Sequence, residues 1–236
     1  MDWNGTISLL IACIELILLV NLLALADKTK PNKFAILMIA LLFVYQLLEF
    51  LMCHFGLAES IIAYLAFADI SFLPPVGLYF VLIFLGYRVP PYIKLIFIPA
   101  VLFVIFYAFA VPQFKVVSCT VLYASYNYPL GTLYGAFYYL PVLVTMLLLF
   151  LQIKKEKEGK KTFLSKVLLA GYIFTSIPVI LAFALSISGS FYLLSIIESI
   201  MCKFAAALAF SLAFVCLYGR TPAAKIFVPV SKKEDK

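Results

Sequence analysis

Charge is what this 236-residue sequence has least of: 12% of its residues are Asp, Glu, Lys or Arg, against roughly 25% in an ordinary soluble domain. That shortage excludes a conventional solvated surface. Histidine and tryptophan are nearly absent, with His54 and Trp3 the only examples, and one histidine gives no His/Cys ligand spacing for zinc. There is no GxSxG elbow, no phosphate-binding loop and no motif that sets a nucleophile beside a base. No catalytic residue, metal ligand or cofactor is therefore assigned; an acid hydrolase using Asp69 and Glu49 has nothing specific behind it. Ser71, Thr145 and Ser199 fall inside apolar runs, where hydroxyls ordinarily bond to helix carbonyls. The five cysteines give no disulfide framework: Cys13, Cys53, Cys202 and Cys216 fall inside apolar runs and only Cys119 in a loop. They are expected as buried free thiols packing as small hydrophobes.

Apolar sequence is what there is in abundance, at 66% of the residues. About 20 apolar residues cross a ~30 Å hydrocarbon core. Such runs lie at 5–26, 34–55, 60–86, 95–111, 132–153, 167–187 and 192–218, and 219–236 forms a basic tail. The expected fold class is an all-α integral membrane protein, a single seven-transmembrane-helix bundle. The first run resembles a signal peptide in ending at Ala24-Leu25-Ala26, yet it lacks a preceding basic segment and is interrupted by Glu15. It is read as a span.

A net charge of +7 raises the question of a nucleic-acid partner, which the charge distribution answers in favour of topology. Sixteen of the 18 basic residues lie in 27–33, 87–94, 154–166 and the tail, all on one side of a seven-span arrangement. The positive-inside rule then puts the amino terminus outside and the carboxyl terminus in the cytoplasm, in the cell membrane, with lipid as partner and no nucleic acid. Asn4-Gly5-Thr6 fits a glycosylation sequon on the outer side.

The short turns at 56–59 and 188–191 predict antiparallel neighbours for the second and third helices and for the sixth and seventh. Pro74 and Pro75 near the middle of the third run, and Pro178 in the sixth, predict kinks or gates, with Pro141 in the fifth a further interruption. The loop 112–131 is rich in tyrosine and leads into Tyr134, Tyr138 and Tyr139 at the outer end of the fifth helix. These rings are expected as an outer aromatic rim, either an interfacial belt or the roof of a pocket.

Ionisable residues inside spans are the strongest functional signal, because they are costly in lipid and face the bundle interior. At about 1.5 Å per residue, Glu49 and Glu198 lie roughly 9 Å from the outer ends of their helices. Asp69, Glu15 and Lys203 lie roughly 14–16 Å deep by the same measure. All five share the outer half, so with Gln46 they form a candidate ligand pocket open to the outside. Glu198 and Lys203, five apart, are about 140° apart around their helix. Lys203 therefore needs a partner on another helix, with Asp69, Glu15 or Glu49 as candidates. Four carboxyls against one ammonium imply either protonated acids or a cation; the alternative is a structural network holding the helices together.

The stretch YLAFADISFLPPVGLYFVLIFLGY (64–87), with Leu73-Pro74-Pro75 inside and Gly86-Tyr87-Arg88 at its end, resembles the third helix of the seven-transmembrane sensor module of bacterial histidine kinases. GAFYYLPVLVTMLLLF (135–150) is similar to that module's fifth helix. The likeness runs over about 30–218 as a hydropathy pattern and carries over no ligand-binding residue. It implies a sensor that acts on a cytoplasmic partner; here 18 residues follow the last span, so a stand-alone module docking a separate partner on its basic face is expected. The alternatives are an ion- or proton-coupled transporter or channel using the acidic groups, and a retinal-type photoreceptor with Lys203 as the Schiff-base lysine.

Overall fold

The computed structural model describes residues 4–56, 60–156, 159–187 and 196–218. Seven helical segments are long and apolar enough to cross a membrane, the architecture of a multi-pass membrane protein. The tail and the 188–191 turn lie outside the described residues.

The chain turns at Gly5, whose φ of 74° favours a residue without a Cβ, into α1 (Thr6–Leu25). Thr29 accepts a hydrogen bond from the Asn32 N–H and starts α2 (Lys30–His54), with Pro31 in the first turn where no donor is needed. The third apolar run is two helices, α3 (Ser60–Ser71) and α4 (Leu73–Phe84), separated at Phe72. Pro74 and Pro75 have no N–H to offer the turn before them, so the α3 ladder cannot continue. A 3₁₀ segment, Pro91–Phe97, feeds α5 (Ile98–Phe109). After the loop come α6 (Gly131–Lys155), α7 (Lys160–Ile187) and α8 (Ile197–Tyr218). Pro141 and Pro178 sit inside α6 and α7, which continue past them.

Three expectations are corrected. The fold is not purely α: 112–131 contains an antiparallel hairpin, β1 (Lys115–Cys119) paired with β2 (Ala124–Asn127), closed by a turn in which the Thr120 N–H donates to Tyr123 O at 2.9 Å. Val116 and Ser118 flank an irregular register. The hairpin folds back over the bundle, and there Cys53 and Cys119 form a disulfide, with Cα atoms 5.4 Å apart. Cys53 and Cys119 were expected as free thiols, but Cys53, inside its span, lies one residue from the end of α2, where β1 comes to meet it. The basic 154–166 loop also shrinks, because Lys154 and Lys155 continue α6 and Lys160, Lys161 and Lys166 belong to α7.

The bundle has two packed regions. Leu22, Met38, Leu42, Phe80, Leu149, Leu168 and Leu212 fill the half nearest the basic ends. There Lys161 Nζ donates to Leu85 O at 2.7 Å, satisfying a carbonyl just past the end of α4. The half nearest the hairpin is aromatic and centres on Phe67, whose ring lies 4.3 Å from Tyr128, 5.2 Å from Phe114, 5.4 Å from Tyr126 and 5.7 Å from Tyr134. Helix pairs follow the expected neighbours, α2 with α3 and α7 with α8, and α8 also lies against α1 and α2.

Candidate functional site

The site grows from one face of each of three helices. On α1, Ser8, Ala12 and Glu15 recur at i, i+4 and i+7 and are buried. On α2, Gln46 and Glu49 share a face, and Cys202 and Lys203 bring α8 to meet them. Glu15 and Gln46 are 0% exposed, Glu49 1% and Lys203 8%.

Lys203 Nζ is paired with Glu49 Oε1 and also donates to Gln46 Oε1 at 3.2 Å. Ser8 Oγ donates to the same Glu49 oxygen at 2.9 Å. Gln46 Nε2 donates to Cys202 O at 2.9 Å, which turns the amide oxygen toward the lysine. Of the partners left open for Lys203 by the sequence, the structure selects Glu49. Glu15 lies within electrostatic reach of Lys203, yet both its carboxyl oxygens, and Glu49 Oε2, are buried without a hydrogen-bond partner. Two carboxyls thus flank one ammonium in a low-dielectric interior, a set completed by a proton or a cation.

Asp69 and Glu198 stand apart from this pair, although Asp69, like Glu15, Glu49 and Lys203, is within electrostatic reach of Cys202. Asp69 is half-buried in the last turn of α3, with Oδ2 unpartnered. Glu198, in the first turn of α8, accepts the Tyr128 hydroxyl. Burial and then the Glu198 carboxylate push the Tyr128 hydroxyl far above its ordinary range, so it remains a donor. Next to it, Ser199 Oγ accepts from the Ala124 N–H at 3.0 Å.

Those contacts belong to a set that fastens the hairpin region to five helices. The Gly5 N–H, at the start of α1, donates to Thr120 O at 3.0 Å, and Cys53 at the end of α2 is bonded to Cys119. Ser60 Oγ of α3 donates to Phe114 O at 2.8 Å, and Tyr107 OH of α5 to Pro129 O at 3.1 Å. Glu198 and Ser199 supply the α8 attachment. The polar core is accordingly closed at this end and packed.

The expected aromatic rim faces inward. Tyr134 and Tyr138 are buried and Tyr139 is half-buried; Tyr134 joins the Phe67 cluster, its hydroxyl 3.1 Å from Ser71 Oγ. Sequence reasoning missed Ser8, and it took Tyr128 only with the other loop tyrosines as belt or roof, without its bond to Glu198. Ser8 had a signal, its spacing of seven from Glu15, whereas Tyr128 reaches Glu198 only because the hairpin folds back.

No protein-family model, curated protein or solved structure matches this chain.

Proposed function

We propose that this protein is a receptor-like module of the cell membrane in which a small ligand engages the polar core from the hairpin side and a cytoplasmic partner reads the change at the basic end. The amino terminus and hairpin would lie outside, a placement supported by the sixteen basic residues that the sequence puts on the other side of its seven spans and by a disulfide suited to an oxidising compartment.

One observation carries the reading. Lys203, Glu49 and Glu15 are sealed in one half of the bundle beneath a hairpin attached to five helices. The apolar layer of Leu42, Phe80, Leu149 and Leu212 lies between them and the basic ends. A polar centre with no buried charge continuing toward the basic ends among the described residues suits binding and switching better than conduction.

A proton- or cation-coupled transporter is the second reading, favoured by the surplus carboxyl: Glu15 and Glu49 face a single lysine. The photoreceptor alternative needs room beside Lys203. The cavities bordered by neighbouring Cys202 and by Glu198 hold about 30 and 10 Å³, against the roughly 300 Å³ and more of ordinary ligand sites, so a chromophore has no room there, and the ligand of the receptor reading enters only as the hairpin is released.

Proteoliposomes carrying an internal pH dye separate the first two readings when a potassium diffusion potential is imposed. The receptor reading expects proton flux no greater than in empty vesicles. Flux that Glu49→Gln abolishes would replace it with the transporter.

A further inference from the structure

Asp69 is the one charged residue of α3, and it stands apart from the Lys203–Glu49 pair. At about 1.5 Å per residue it lies roughly 14 Å along its helix, near the middle of a ~30 Å hydrocarbon core. Ile61, Leu65 and Asp69 recur at i, i+4 and i+8, one row along the helix surface. Ile61 and Leu65 are 44% and 45% exposed, and Asp69 is half-buried. The row runs along the flank of α3 that a bilayer would cover, away from Ala63, Ala66 and Ile70, which are buried.

Among the described residues nothing bonds to the Asp69 carboxyl. Oδ2 is buried without a partner, no side-chain hydrogen bond and no cation acts on the group, and Oδ1 belongs to the part of the residue that stays open. A carboxyl at this depth is costly in lipid and ordinarily pairs with another polar or basic group. The ammonium at comparable depth among the described residues, Lys203, is committed to Glu49. A second copy of this chain brings the same committed lysine and so cannot supply the missing charge. What fits the row is a helix of a different protein, apolar where it meets Ile61 and Leu65 and basic where it passes Asp69.

We propose that the Ile61–Leu65–Asp69 row of α3 docks a transmembrane helix of another membrane protein, whose lysine or arginine near the middle of its span pairs with Asp69. Apolar contact in lipid gives little preference for one helix over another, since lipid tails are as apolar as leucine. The selectivity therefore comes from charge: a helix with a base at this depth neutralises Asp69, and one without it leaves the carboxyl unpaired. This goes beyond the receptor reading, because the row is available whether or not the polar core binds a ligand.

The test uses a synthetic helix of about 20 leucine and alanine residues, long enough to span, with uncharged polar ends, one central lysine and a photoreactive leucine one turn away. It is photolysed with the full chain in phosphatidylcholine proteoliposomes and the adducts are mapped by mass spectrometry. The expected adducts fall within 61–69 of α3 and on adjacent α2, and saturate with peptide-to-lipid ratio. A central leucine or aspartate in place of the lysine lowers labelling there several-fold. Asp69→Asn does the same for the lysine helix, and Asp69→Glu, which keeps the charge, retains most of the labelling. Should Asp69→Asn not fold, the three helices compared on the wild-type chain decide alone. Equal labelling by the lysine and leucine helices, or labelling by the lysine helix unchanged in Asp69→Asn, would overturn the proposal, as would an aspartate helix that labels as well as the lysine one. Proton flux in the earlier assay would leave this adduct map untouched, so the two ideas can fail separately.

Discussion

Lys203 can stay inside an apolar helix because Glu49, on a different helix, neutralises it, while Gln46 accepts a second hydrogen bond from the lysine and Ser8 donates to Glu49. Such a pair adds little net stability compared with apolar residues of the same size, but breaking it leaves one uncompensated charge, at roughly 3–5 kcal/mol. Lys203→Met alone should destabilise the detergent-solubilised protein by about that amount, and Glu49→Leu alone by a similar one. The double variant should recover most of the loss, a coupling read from unfolding midpoints. Additive losses would mean that the two side chains do not depend on each other. That Lys203 needed a partner off its own helix was legible in the sequence, since five residues is the wrong spacing for a pair on one face. Which of Asp69, Glu15 and Glu49 it takes was not legible, because depth along an axis leaves the rotation of each helix open. Packing sets that rotation.

At the scale of elements, the apolar runs located the helices, though α7 begins seven residues before its run because its first turns are basic, and the proline pair marked the point where α3 gives way to α4. What escaped was the hairpin. Its sequence is short, its strand pattern is obscured by an irregular register between Val116 and Ser118, and its stability comes from contacts with five helices rather than from itself. The disulfide escaped for the same reason, since pairing Cys53 with Cys119 closes a separation of 66 residues that spacing could not disclose. The α7–α8 interface depends on a small residue. A Cβ on Gly171 would lie 2.6 Å from Ser211 Oγ and 3.3 Å from the Leu208 Cα, whereas one on Gly135 would find its nearest neighbour at 3.7 Å. Gly171→Ala should therefore destabilise by about 1–3 kcal/mol through overpacking. Gly135→Ala should be neutral or stabilise by up to about 1 kcal/mol, the ordinary helical gain. Equal effects in thermal unfolding would show that α7 and α8 are not so closely packed at Gly171.

Over the whole molecule, a sealed polar core lies between a pinned hairpin above it and an apolar layer beneath it. A composition so poor in charge made the membrane class legible at once, and the clustering of ionisable residues in one half of the spans identified the region of the core. The seal was not legible, because it is made by residues far apart in sequence: Gly5, Cys53, Ser60, Tyr107, Glu198 and Ser199 all hold the same hairpin region. Cys202, fully buried among Lys203, Glu49, Glu15 and Asp69, reports on that seal. The most direct measurement is the rate at which a membrane-impermeant maleimide, added from the hairpin side, modifies Cys202 in protein lacking Cys13 and Cys216. With the Cys53–Cys119 bond intact the thiol should be almost unreactive. In the Cys53→Ser/Cys119→Ser variant it should react at least about tenfold faster, the effect of roughly 1.4 kcal/mol on a local opening equilibrium. Rapid modification with the hairpin pinned, or an unchanged rate once it is released, would contradict the sealed core on which the account rests.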